Sequence, residues 1–243
     1  MLKHSFILAV AFIGFHSNTD QIRADVVAQW TFETNPPADI TAATISGIAA
    51  DVGSGTASGT HLSASTVWST PSGNGSANSL SANNWAIGDF FQFQVSTVGF
   101  TGVNLTWDQT SSGTGPGVFD FEYRVGNSGL FTNALNDYVV LPNQTAVPGI
   151  GTWGPATPIA GYGFAVNLST VTALDNQAIV QFRLTVATNA DSTPPAGTIL
   201  AGGTSRVDNF TVNAVPEPSS FALLGVLACC LGASNRFRKK KQV

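Results

Sequence analysis

The sequence predicts an all-β body, two stacked antiparallel sheets of jelly-roll or lectin type. Three observations carry that expectation. Apolar and polar residues alternate with period two through several runs, clusters of Gly, Pro, Asn and Ser separate those runs, and no stripe of helical spacing is present. Runs with one apolar and one polar face are what antiparallel sheets covered on a single side require.

Along the chain, residues 1–24 read as a secretory signal. Lys3 supplies the positive start, and the apolar run Phe6 to Phe15 is too short to span a bilayer of roughly 30 Å hydrocarbon thickness. Small Ala24 suits the position before cleavage, so Asp25 is expected to begin the mature chain. Residues 25–215 then form the ectodomain, opening with a strand over Val26 to Phe32. Thr41 to Asn84, rich in Ser, Thr, Ala, Gly and Asn, is expected to be loops with short edge strands.

The clearest alternation follows. Phe91, Phe93 and Val95 are interleaved with Gln92, Gln94 and Ser96; Val103, Leu105 and Trp107 with Asn104, Thr106 and Asp108. Phe119, Phe121, Tyr123 and Val125 are interleaved with Asp120, Glu122 and Arg124; Val180, Phe182, Leu184 and Val186 with Gln181, Arg183 and Thr185. Turn chemistry lies between them at 113–117, 126–129 and 193–197. No fixed-period repeat argues for a solenoid or propeller.

Charge narrows the function classes. Between Asp25 and Val215 there is no lysine, and three arginines (Arg124, Arg183 and Arg206) face twelve carboxylates, a formal charge of −9. Such a body cannot neutralise a run of phosphates, which excludes nucleic acid as a partner. The only cysteines, Cys229 and Cys230, are adjacent and outside this region, so neither disulfides nor a thiolate zinc site support the ectodomain.

Candidate chemistry is sparse. His61 is the only histidine after the signal segment, in a Ser/Thr/Gly-rich stretch that reads as a loop, and no nucleophile elbow accompanies it. Asp120 and Glu122 point from one strand face with Arg124 beside them. That is either a solvated face with a Glu122–Arg124 ion pair, or a carboxylate pair suited to glycan hydrolysis. Asp208 falls in phase with Phe210 and Val212, which places a carboxylate toward the core. It then needs Arg183 or backbone amides as partners, and Asp208 with Asn209 are also candidate ligands for a structural Ca²⁺. Trp30 and Trp107 lie in strand runs and are expected in the core. Trp68, Trp85 and Trp153 lie near loops, where packing competes with a sugar-stacking role.

The C-terminal segment, 216–241, has three parts in order. Pro216, Glu217 and Pro218 come first, and a short apolar stretch follows that carries Phe221, Leu223, Leu224, Leu227 and Leu231. The basic cluster Arg236, Arg238, Lys239, Lys240 and Lys241 comes last. The apolar stretch is expected to form a short transmembrane helix, and the cluster places the tail on the cytoplasmic side.

This end closely resembles the PEP-CTERM sorting domain, a segment also known as an ice-binding-protein C-terminal domain. The resemblance implies recognition by a membrane-embedded exosortase, with processing near Pro216–Pro218. It further implies a Gram-negative bacterium that makes exopolysaccharide and biofilm. Asn84 to Phe93, Ser112 to Pro116 and Arg206 to Phe210 resemble segments of PEP-CTERM protein bodies. The expectation is therefore a non-enzymatic surface or extracellular-matrix protein that binds polysaccharide, with a glycan-active enzyme as the alternative.

Overall fold

Phe91, Phe93 and Val95 are buried while Gln92 and Gln94 lie half-exposed, and the same two-sided pattern recurs in strand after strand of the computed structural model. The structure describes residues 23–143 and 151–217. Among the described residues fourteen strands, every ladder antiparallel, form an eight-stranded and a six-stranded sheet. Between them lies one aromatic core.

In chain order the strands are β1 (Asp25–Trp30), β2 (Ile40–Thr41), β3 (Thr44–Ala49), β4 (Val52–Gly53), β5 (Gly55–Thr60), β6 (Val67–Ser69) and β7 (Leu80–Ala82). They continue with β8 (Phe90–Val95), β9 (Phe100–Ser111), β10 (Val118–Val125), β11 (Thr132–Val139), β12 (Gly163–Asn167), β13 (Val180–Val186) and β14 (Ser205–Pro216). The six-stranded sheet runs β11-β10-β13-β8-β5-β3. The eight-stranded sheet runs β12-β9-β14-β7-β6-β2, with β1 on β14 and β4 on β1. β14 is the spine of this sheet. One of its edges pairs with β9, and the other pairs with β7 near Ser205 and with β1 from Phe210 onward.

The two sheets meet through aromatic rings. Phe210 of β14 stacks on Phe93 of β8 with centroids 3.6 Å apart, and Trp107 of β9 stacks on Phe121 of β10 at 5.1 Å. Burial of this kind, about 25 cal/mol per Å² of apolar surface, is what holds a disulfide-free domain together.

Thr41 to Asn84 holds the expected short edge strands, β2, β3 and β4, but it also supplies interior ones. It carries most of β2 through β7, and β5 is an interior strand paired on both sides, by β3 and β8. The reason lies across the core. A Cβ on Gly55 would press on the Trp30 indole, and one on Gly59 would overlap that of Trp68, so the two indoles occupy the space β5 leaves empty. A strand of Gly, Thr, Ala and Ser therefore does core duty without large apolar residues of its own.

Asp51 ties the first crossing together. Its carboxylate accepts from the backbone N–H groups of Thr31, Phe32, Thr34 and Asn35, and Phe32 is held there at φ 58°. Burial would raise this carboxyl. The N–H donors of Asn35, Thr34 and Thr31, with the Thr31 hydroxyl, outweigh it and hold the pKa below its ordinary value.

At the N-terminal boundary Asp25 opens β1, directly after Ala24. At the other boundary Pro216 closes β14 opposite Phe100, and Glu217 donates its N–H to the Gly99 carbonyl at 2.8 Å. Pro218, the apolar stretch and the basic cluster lie outside the described residues, as do the signal residues before Arg23. Among the described residues no helix is long and apolar enough to cross a membrane.

Candidate functional site

The outer face of the six-stranded sheet gathers most of the polar strand residues singled out by alternation. β10 contributes Asp120, Glu122 and Arg124, which lie opposite Thr185, Arg183 and Gln181 of β13. β13 in turn lies opposite Phe90, Gln92 and Gln94 of β8. Because side chains alternate across a pleat, these nine project from one side as three rows.

The rows are laced by amides. Gln181 donates from Nε2 to Gln94 Oε1 at 2.8 Å, and Arg183 donates from Nε to Gln92 Oε1 at 2.8 Å. Arg124 donates from Nη2 to Gln181 Oε1 and from Nη1 to the Gly129 carbonyl. Thr185 donates its hydroxyl to Glu122 Oε2 at 2.7 Å. The expected Glu122–Arg124 ion pair is thus replaced by two separate sets of bonds: each charge finds a neutral partner in the next strand.

Two rings hold the cations. The Arg183 guanidinium carbon lies 3.6 Å from the Phe90 ring centroid and 3.9 Å from that of Phe131, while Arg124 lies 4.4 Å from Phe131. Burial beneath the rings, with Arg124 nearby, lowers the Arg183 pKa to about 10, which Glu122 partly offsets; the group stays charged at neutral pH. The sequence shows Arg183 only as a polar residue in a strand. Its placement between two phenyl rings comes from Phe131, a loop residue no alternation reaches.

Asp120 and Glu122 share this face, as expected. Asp120 accepts from the Asp137 N–H at 2.8 Å and from Asn133 Nδ2 at 3.3 Å. Among the described residues, neither carboxylate lines the clefts around Pro194, Asp108 or Pro36.

Asp208 corrects the phase expectation. The register runs Asp208 opposite Asp108, then Thr211 opposite Thr106, so β14 carries one extra residue and Asn209 sits at φ 51°. The bulge turns Phe210 and Val212 inward while Asp208 stays on the outer side with Asp108, buried beneath residues 72–78. Arg183, on the outer face of the opposite sheet, is not its partner. Asp208 Oδ2 instead accepts from the Asn74 N–H at 2.9 Å and the Ser76 hydroxyl at 2.7 Å, and Oδ1 accepts from the Asn209 N–H at 2.7 Å. Asn209 Nδ2 bridges to Asp108 Oδ2 at 2.9 Å. Asp108 and Asn209 line a cleft of about 510 Å³ with Gln29, Thr211 and Gly163. As candidate Ca²⁺ ligands, Asp208 and Asn209 are therefore adjacent, but the Asp208 oxygens face N–H and O–H donors rather than the cleft.

His61 is a core residue and not a loop base. It is 3% exposed, with ring centroids 4.7 Å from Trp68 and 4.0 Å from Trp85. Nδ1 meets the Thr66 hydroxyl at 3.1 Å and lies 3.7 Å from Asp89. Trp68, Trp85 and Trp153 are buried as well, and each indole N–H donates to a backbone carbonyl (Ala42, Ala82 and Ser72). None of them offers a stacking surface for a sugar.

His61 and Asp208 pull stability in opposite directions with pH. Burial lowers His61 from 6.5 to about 4, offset slightly by the Asn83 and Asn84 backbone. Between those values the unfolded chain binds the extra proton, so stability rises with pH. Burial raises Asp208 from 3.8 to about 6, with Asp108 adding to the rise and the Ser76, Asn74 and Asn209 donors opposing it. There the folded chain binds the extra proton, so stability falls with pH. Each effect is on the order of 3 kcal/mol across its window. Relative to wild type, Asp208→Asn should therefore make urea-unfolding stability rise by about 1 kcal/mol per pH unit from pH 4 to 6, and His61→Gln should make it fall similarly. Curves parallel to wild type for both variants would refute the assignment.

No protein-family model matches the chain, and no curated protein matches it. Among solved structures it is similar to a carbohydrate-binding module of the β-sandwich superfamily. The two are 14% identical with a TM-score of 0.40 over 76% of this chain, which spans 61% of that one. It is also similar to the K1 cleaved adhesin domain of Lys-gingipain from Porphyromonas gingivalis, with 12% identity, TM-score 0.40, and 78% and 98% of the two chains covered. A third similar structure is a carbohydrate-binding module studied for specific mannan recognition, with 11% identity, TM-score 0.34, and 79% and 98% covered. At these scores the likenesses are distant.

Proposed function

We propose that the protein is an exported surface or extracellular-matrix component whose β-sandwich, of the jelly-roll class, binds polysaccharide through the outer face of the six-stranded sheet. The observation that carries this reading is the face itself. Three rows of side chains are fixed by cross-strand hydrogen bonds among Gln92, Gln94, Gln181, Arg124 and Arg183, with the Phe90 and Phe131 rings set among them. Sugar rings bind to surfaces of this composition because amides and guanidinium groups match hydroxyl donors and acceptors, while phenyl rings cover C–H faces. Pre-ordering by neighbouring strands spares side-chain entropy on binding.

Export and sorting rest on the sequence. The signal segment 1–24 leads the chain out, and the PEP-CTERM-like segment 216–241 hands it to an exosortase after transient anchoring in the membrane. Mass spectrometry of the protein from cells with and without a working exosortase checks this half. Loss of the segment beyond Pro216–Pro218 only where the enzyme works is the expected result, and an intact C-terminus in both strains refutes it.

The binding half is checked by affinity electrophoresis of the full-length protein through gels containing neutral and acidic polysaccharides. Retardation by at least one polymer, abolished by Gln92→Ala with Gln94→Ala, is expected. Release of new reducing ends from the retained polymer, lost in Glu122→Gln, would instead establish the glycan-active enzyme.

A further inference from the structure

Resting on that reading, we propose that the face takes an acidic polysaccharide and that Arg183 receives the carboxylate of a uronic acid residue. In a body of formal charge −9, two of the three arginines converge on this one surface. Arg183 lies directly opposite Glu122 in the register, yet no ion pair joins them: Glu122 takes the Thr185 hydroxyl and Arg183 Nε takes Gln92. Among the described residues, the two terminal nitrogens of Arg183 have no hydrogen-bond acceptor, and neither is a buried unsatisfied atom. They remain solvent-accessible donors on a guanidinium whose plane is fixed by Phe90, Phe131 and the Gln92 amide.

That is a pre-oriented fork with its outer edge open. Two parallel N–H donors match the two oxygens of a carboxylate, and the pair is about twice as strong as a neutral hydrogen bond. Arg124 has its own fork occupied by Gly129 and Gln181, so the face offers one open cation rather than a basic patch. Around it stand neutral amides, Gln92, Gln94 and Asn133, and the carboxylates Asp120 and Glu122. A polymer with a carboxylate on every ring, or with dense sulfate esters, would meet repulsion from those carboxylates. One with a single uronic acid among neutral sugars would place one charge at Arg183 and hydroxyls on the amides.

The test is affinity electrophoresis of the full-length protein with deacylated gellan, which carries one glucuronate per repeat, and with its carboxyl-reduced form. Retardation by gellan at least tenfold stronger than by the reduced polymer is expected, weakening as salt is raised. Arg183→Lys, which keeps the charge but not the fork, should lose that preference, and so should Phe131→Leu, which leaves Arg183 in place but removes one ring. Thermal unfolding of each variant near the wild-type midpoint separates lost recognition from lost folding. Equal retention of both polymers would overturn the role of Arg183 while leaving polysaccharide binding intact, as would a Lys variant that binds like wild type. Preference for a sulfated polymer would overturn the carboxylate assignment. Retention by no polymer, neutral ones included, would overturn the binding face altogether.

Discussion

Gln109→Leu is expected to lower the unfolding free energy by about 2–6 kcal/mol, because it strands two buried donors at once. Gln109 continues the inward phase of Val103, Leu105 and Trp107 along β9 and is fully buried. Its Oε1 accepts from Trp107 Nε1 at 3.2 Å and from the Tyr138 hydroxyl at 2.7 Å, and its Nε2 donates to Ser205 Oγ at 3.4 Å. Burial holds the Tyr138 phenol well above its ordinary pKa, so its hydroxyl remains a donor through mildly alkaline pH. Leucine has nearly the right volume and no acceptor. Urea unfolding of the single variants and of Gln109→Leu with Tyr138→Phe isolates the network. In the Tyr138→Phe background the leucine should cost about 1–3 kcal/mol less, since only the indole N–H is then orphaned. A single-variant loss below about 1 kcal/mol would mean that water or another acceptor serves both donors.

Phe210→Ala is expected to cost about 3–5 kcal/mol, the range for deleting a buried phenyl whose surroundings cannot collapse. Phe210 stands where the sheets meet. It stacks on Phe93 at 3.6 Å with the rings 4° apart, and its centroid lies 6.1, 6.2 and 6.5 Å from those of Trp30, Trp107 and Phe182. Each neighbour belongs to a different strand, so the void cannot close by moving one of them. Phe210→Leu should cost less, having fewer atoms to lose. An alanine variant that unfolds at the wild-type urea midpoint would show that the sheets close over the gap.

Legibility followed the range of the interaction. The face of Asp120, Glu122, Arg124, Gln181, Arg183 and Thr185 could be read from alternation, because a strand's side chains change sides at every residue whatever pairs with it. The bonding partners of Glu122 and Arg124 could not. Two residues apart on one strand they share a face, but Thr185 and Gln181 of β13 stand closer to their polar ends and take the bonds. β5 was hidden because Gly, Thr, Ala and Ser carry no apolar period, and only Trp30 and Trp68 packing against Gly55 and Gly59 explain why such a strand lies inside a sheet. Trp68, Trp85 and Trp153 could be read for packing or for sugar stacking, and the tertiary structure, which buries all three, decides for packing.

Alone, then, the sequence determined the all-β class, the two-sided strands β8, β9, β10 and β13, the acidic body without disulfides, and the expectation of an exported chain with a sorting tail. These are local or compositional properties, fixed by the order of residues along the chain. Tertiary structure decided the rest. The bulge at Asn209 adds one residue and reverses the side of Asp208, a choice made by pairing with β9 and not by β14 itself. His61 became a core residue because two indoles, Trp68 of β6 and Trp85 from the connection between β7 and β8, close over it. Arg183 acquired its ring-bounded, outward-facing fork because sheet order brings Phe90 and Phe131 to it from separate parts of the chain. Which residues become neighbours across strands is set by register and sheet order, and neither is encoded in any window of sequence short enough to show a period.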